Sequence, residues 1–268
     1  MSSTEKTRSA TFSSSKPVTA TVMTKSGDID VQTSAGDVVE VTLSARGPDA
    51  ELLLESAEIE FDEKTGELVV RTARDQFEIA GLKNLFRKGA WTLNTDLDVA
   101  VVVPVGSSLD VKTASGDTQC RGALNTVELN SASGDIRVSD PVTSLDVKTA
   151  SGDVVVDRVT ESLECRSASG DVRCAGAAAR TSVHTASGDV SMTADRSSDI
   201  TVRAVSGDVR VTVASGLVVD VNANTVSGDM GSSIPLDGNG VSDEQDDDKT
   251  VTLNVSTVSG DFRITRAS

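Results

Sequence analysis

The chain has 268 residues, with 25 Lys and Arg against 41 Asp and Glu, so its net charge at pH 7 is −16. It holds one His, five Phe, one Trp and no Tyr. Binding to nucleic acid without sequence preference needs a basic surface that displaces counterions, and a chain this acidic argues against it. One His excludes a histidine-rich metal centre or a relay of histidines. Aromatics normally supply the large buried areas of a globular core, and this chain has almost none. With 37% hydrophobic residues and 21 Gly, it can still fold, but around a thin interior of Val, Leu, Ile and Ala.

Residues 1–15 are rich in Ser and Thr and read as a mobile tail. They contain no apolar core of a signal peptide, and no stretch of the chain approaches the ~18 apolar residues of a spanning helix. Three Cys, an odd number, leave at least one free thiol in a monomer. A soluble, cytoplasmic protein is the expectation.

Residues 16–107 read as an irregular β-rich region, continuous with the regular array of residues 108–268 and capping its first coil. Ala20, Val22 and Thr24 alternate into Ser26-Gly27-Asp28, and residues 38–45 alternate as a strand. Residues 58–61 and 67–71 flank Asp62-Glu63-Lys64-Thr65-Gly66, a hairpin signal. Residues 77–91 (FEIAGLKNLFRKGAW) depart from this pattern. Leu82, Leu85 and Phe86 sit at helical spacing, and Phe77, Arg87, Lys88 and Trp91 make the segment aromatic and basic. It reads as an amphipathic insertion that either caps the open end or flank of the fold or docks on a partner or an anionic membrane surface.

Residues 108–268 carry a repeat. Ser-Gly-Asp starts at Ser115, Ser133, Ser151, Ser169 and Ser187, always 18 residues apart, and recurs at Ser206, Ser227 and Ser259. Aligning the copies places Leu109, Val127, Leu145 and Leu163 in one column and Val111, Leu129, Val147 and Cys165 two positions on. Asp110, Glu128, Asp146 and Glu164 lie between them, and Lys112, Asn130, Lys148 and Arg166 come next. Alternation with a period of two is a strand with one buried face. After each corner it restarts, as at Ile136 and Val138 or Val154 and Val156. Two short strands per unit cannot bury their inner face alone, but stacked coils can. The expected fold is all-β, a single-stranded parallel β-solenoid (β-helix) of about 18 residues per coil, coiling right-handed. Eight coils at ~4.8 Å would make a rod on the order of 35–40 Å long.

At the corner, Gly supplies a positive φ, and Ser and Asp bond neighbouring turn amides. Stacking also sets Asp117, Asp135, Asp153, Asp171, Asp189 and Asp208 in a ladder, which amides, cations or, as an alternative, calcium would have to satisfy. Cys120, Cys165 and Cys174 fall in inward columns and read as small buried hydrophobes; His184 falls in an outward column. No nucleophile, base and acid can be drawn together from these residues, so no catalytic or cofactor-binding residue is assigned and an enzyme is not expected. Residues 231–250 interrupt the last repeat as an acidic surface loop.

The TASGDV segments at residues 149–154 and 185–190, together with the VVVP strand at 101–104, resemble a bacterial β-strand-repeat family labelled "putative adhesin". The resemblance covers roughly residues 18–268. It implies a parallel β-solenoid, no established enzymology and no catalytic residues to carry over, and for some relatives a link to envelope stress. The expected function is a non-enzymatic scaffold or protein-interaction module with a protein partner. A self-associating filament or oligomer is the alternative, with strand edges at a solenoid end pairing with another copy. A calcium-binding ladder or a surface adhesin rank below both.

Overall fold

The computed structural model describes residues 5–72, 96–234 and 249–267. The N-terminal third contributes β1 (Glu5–Ser13), β2 (Thr19–Thr24), β3 (Ile29–Ser34), β4 (Val38–Arg46), helix α1 (Ala50–Ser56), β5 (Glu58–Asp62), β6 (Glu67–Arg71) and β7 (Leu97–Pro104). Then come β8 (Ser108–Thr113), β9 (Thr118–Arg121), β10 (Leu124–Ser131), β11 (Ile136–Val138), β12 (Val142–Thr149), β13 (Val154–Val156), β14 (Val159–Ser169) and β15 (Val172–Cys174). The last are β16 (Arg180–Ser187), β17 (Val190–Ala194), β18 (Ser198–Ser206), β19 (Val209–Val213), β20 (Val218–Ser227), β21 (Met230–Ser232), β22 (Thr250–Ser259) and β23 (Phe262–Arg266).

These strands form two long, largely parallel sheets, a solenoid-like all-β architecture. One sheet runs β5-β6-β2-β8-β10-β12-β14-β16-β18-β22-β20. The other runs β1-β4-β7-β3-β9-β11-β13-β15-β17-β19-β23-β21. We call them the first and second sheet. In the regular part, parallel pairing joins residues 18 apart, as in Leu109, Val127, Leu145 and Leu163. In the second sheet Thr118, Ile136, Val154 and Val172 stack likewise. The inward side chains of both sheets make one aliphatic core, which includes Leu129, Val147, Val156, Val183 and Val211. The inward hydroxyls are bonded within their own corner. Thr113, Ser131, Thr149, Ser167 and Thr185 each donate to the carbonyl of the Ser two residues on, at 3.0–3.2 Å.

The N-terminal end departs from the sequence expectation in two respects. Residues 1–15 were expected to be a mobile tail, but Glu5–Ser13 pairs antiparallel with β4 along its whole length. As an edge strand β1 buries little, so it lacks the apolar alternation that marks a strand in sequence. Side chains hold it instead: Phe12 packs on Phe61 with ring centroids 5.1 Å apart. Arg8 donates to the carbonyls of Leu54 and Ala57, both at 2.8 Å. Those acceptors belong to the end of α1, where helix carbonyls lack partners of their own. The second departure is α1 itself, which has no periodic signal over so few residues and inserts only Ala50 and Leu54 into the core.

Stacking order is not chain order at either end. The β2–β3 coil lies directly on β8–β9, with β6 and β7 on its other side. At the C-terminal end β22 and β23 sit between β18–β19 and β20–β21. The last described strand, β23, is paired on both sides. The outermost described strands at that end are β20 and β21.

The corners set the stacking distance. Gly116, Gly134, Gly152, Gly170, Gly188 and Gly207 have φ between 113° and 126°. A Cβ on any of them would lie 2.1–2.2 Å from the carbonyl oxygen of the glycine in the neighbouring coil. Gly216 has φ of 87° but nothing within 4 Å of its Cβ position. Gly216→Ala should therefore cost about 1–2 kcal/mol, for the conformation alone. Gly152→Ala should cost well over that, more than about 3 kcal/mol, because two backbones must separate. Denaturant unfolding of the two variants measures the difference.

Candidate functional site

Three groups of polar side chains could carry function: the corner aspartates, the outer face of the first sheet, and the thiols. The corner aspartates form a continuous ladder. In each step the backbone N–H of one Asp donates to Oδ1 of the Asp in the adjacent coil. The order is Asp98, Asp28, Asp117, Asp135, Asp153, Asp171, Asp189, Asp208, Asp261 and Asp229, with every bond between 2.8 and 3.0 Å. The side chains thus tie coils together rather than closing their own turns. Arg173 bridges the Oδ2 atoms of Asp153 and Asp171 at 3.2 and 2.7 Å. Arg210 does the same for Asp189 and Asp208 at 3.0 and 2.7 Å. The amide of Asp171, then Arg173, holds the Asp153 carboxyl below its ordinary value. The amide of Asp208, then Arg210, does so for Asp189. Among the described residues no three His, Cys, Asp or Glu side chains group as metal ligands would.

On the outer face of the first sheet, acids and bases pair along single strands. Asp110 meets Lys112 at 2.5 Å, Asp146 meets Lys148 at 3.0 Å, and Glu164 meets Arg166. Glu128 has Asn130 at the corresponding place. Beside this acidic row runs a row of short side chains, Thr126, Ser144 and Ser162, with Ser162 Oγ donating to Ser144 Oγ at 3.0 Å. Further along the same row stand Arg180 and Asp199. Short side chains between longer ones leave a trough of about 410 Å³ across β10, β12, β14, β16 and β18. His184 lies on the same face, its Nε2 3.2 Å from Ser182 Oγ.

Cys120, Cys165 and Cys174 are buried and unbridged. Burial pushes the thiols of Cys120 and Cys165 up to about 12, and that of Cys174 to about 11. The thiolate is the reactive form, so all three behave as small core residues. Phe77, Leu82, Leu85, Phe86, Arg87, Lys88 and Trp91 lie outside the described residues. So does most of the acidic loop expected at 231–250. No helix among the described residues is long and apolar enough to cross a membrane.

The two-sheet stack with its repeated corner is a recurring architecture, and residues 21–265 match the family model described as Toastrack DUF4097. The chain belongs to the Toastrack DUF4097 family. No curated protein matches its sequence. This Toastrack chain is similar in fold to a "putative adhesin" from Bacteroides fragilis, with 12% identity, 98% of this chain and 97% of that one covered, and a TM-score of 0.51. It is similar to the same degree to a "putative lipid binding protein" from Parabacteroides distasonis, with 13% identity, 98% and 97% covered and a TM-score of 0.51. At such identities the likeness extends to the fold alone.

The ladder and the thiols make the stability of the Toastrack chain depend on pH. A carboxylate depressed in the folded state stabilises it above the unfolded value, 3.8 for Asp153 and Asp189, and ceases to as pH falls through the lower folded value. Acid unfolding followed by circular dichroism should therefore be shallower for Asp153→Asn than for the parent chain, because one ladder carboxylate no longer titrates. The thiols have the opposite sign. Their protonated form stabilises the fold fully below pH 9.0, and that contribution is lost as pH rises toward 12. A chromogenic disulfide reagent at neutral pH should leave all three Cys unreacted in the native protein and label all three in denaturant.

Proposed function

We propose that this Toastrack domain is a non-enzymatic interaction module whose working surface is the trough on the first sheet. The observation that carries this reading is the row Thr126, Ser144 and Ser162. It lowers the surface over three successive strands beside the acids Glu128, Asp146 and Glu164. An extended segment of a protein partner, lying across the strands, could bond the hydroxyls. It could also set a Lys or Arg against Glu128, whose own strand offers Asn130 in place of a cation. The core supports such a role by holding the outward side chains at fixed spacing, since every strand beneath them is paired on both sides. The chemistry nearby supports binding more than catalysis: the buried thiols stay protonated, and His184 bonds a serine hydroxyl rather than a carboxylate.

A photo-crosslinking residue at Ser144, with one at Ser191 on the second sheet as the comparison, tests this in the producing cells. The expected result is a discrete protein adduct from position 144 that is lost when Ser162→Arg fills the trough. The same adducts from both positions, or an adduct indifferent to Ser162→Arg, would refute the reading.

A further inference from the structure

The C-terminal end of the stack is built differently from its flanks. Among the described residues β20 pairs only with β22, and β21 only with β23, so both sheets end there on strands with one neighbour. The inward residues of β20, Val219, Val221 and Ala223, are half-buried, whereas their stacked equivalents Val251, Leu253 and Val255 are buried. Among the described residues this coil lacks the second neighbour that covers the coils of the regular array. At the opposite end the outermost strands β1 and β5 also have one neighbour each, but they run antiparallel to it, and α1 packs beside them.

The corner column also sets this end apart. The residue before each Ser-Gly-Asp is Ala114, Ala132, Ala150, Ala168 and Ala186 through the regular array. In the three coils nearest the open end it becomes Val205, Val258 and Val226, stacked in that order. Val226 is 80% exposed, and Val205, Val258, Val218 and Met230 are each at least half exposed. Val is a better strand former than Ala, but at these positions it also sets a larger apolar side chain in water. An apolar stripe running onto an open sheet end is what an interface requires. Residues 217–232 also carry only two charged side chains, Asp220 and Asp229, in a chain of net charge −16. Charge depletion of this kind marks the centre of protein interfaces.

We infer that this end pairs with the same end of a second copy, in a closed two-fold dimer. The geometry favours a copy of this chain because a two-fold axis normal to both sheets lays β20 antiparallel on β20 and β21 antiparallel on β21. Under that rotation inward residues stay inward, so Val219, Val221 and Ala223 complete one core with their counterparts. Both sheets then continue across the junction without an edge. A head-to-tail contact would instead meet β1, β5 and α1, whose strand directions and cross-section differ. Of the filament and the oligomer that strand edges alone allow, this geometry selects a closed dimer. This surface lies beyond β18, outside the trough, so the dimer and the trough reading stand or fall separately.

Sedimentation equilibrium of the full chain from micromolar to sub-millimolar concentration tests the inference. The expected mass is twice 27.7 kDa. Val226→Asp combined with Met230→Asp, both at exposed positions, should return it to the single-chain mass with an unchanged circular dichroism spectrum. Leu52→Asp, on exposed α1 at the other end, should leave the dimer intact. A monomeric parent chain overturns the inference. So does a mass that keeps growing with concentration, which would mean open head-to-tail assembly. A dimer that survives the double substitution but dissociates on Leu52→Asp places the contact at the wrong end.

Discussion

The contact between glycine backbones at the corner governs the rest of the structure. Adjacent coils approach there so closely that the place of a Cβ is filled by the neighbour's carbonyl oxygen. Because of that approach, each Asp amide falls within reach of the next Asp carboxylate, and a row of negative charges becomes a row of hydrogen bonds. Without it, carboxylates about 5 Å apart would repel by roughly 0.8 kcal/mol per pair even in water. The amide dipoles offset that repulsion all along the ladder, and Arg173 and Arg210 add to it for two pairs. Part of the chain's acidity is therefore structural, and says less about the charge of a partner than the total suggests.

A stack held at this spacing repeats one coil through its middle, and among the described residues it varies at its ends and on its outer rows. The two ends share one device. A later coil is threaded between an earlier one and its neighbour, β7 between β4 and β3, and β23 between β19 and β21. The last described strand is thereby paired on both sides. What distinguishes the ends is closure. One is covered by antiparallel strands and a helix whose last carbonyls bond Arg8, and the other presents a coil with no cover among the described residues.

Much of the fold was legible in the sequence, and the parts that were not share a cause. Inward and outward columns, the hairpin joining β5 and β6, and the inward thiols all come from side-chain parity, which a strand enforces every second residue. β1 escaped because an edge strand with few buried residues leaves no such trace, and α1 because its seven residues bury only two side chains. The trough escaped as well. It consists of three short side chains that sit 18 residues apart, unremarkable until stacking makes them neighbours. The substitution of Val for Ala before the last corners was visible in the sequence, but its meaning was not, since exposure depends on which coils stand at the end.

By itself, then, the sequence determined the coil: two strands, a glycine corner, an aliphatic inner face and a charged outer one. These are local properties, repeated often enough to be read by alignment of the chain with itself. The tertiary structure alone decided the order of the stack. Coils with the same columns are interchangeable as neighbours, and a spacing of 18, 19, 21 or 32 residues between corners does not say which coil lies on which. That choice settles which strands are outermost among the described residues, how exposed Val226 is, and which Asp receives each amide. It rests on contacts between residues far apart in the chain.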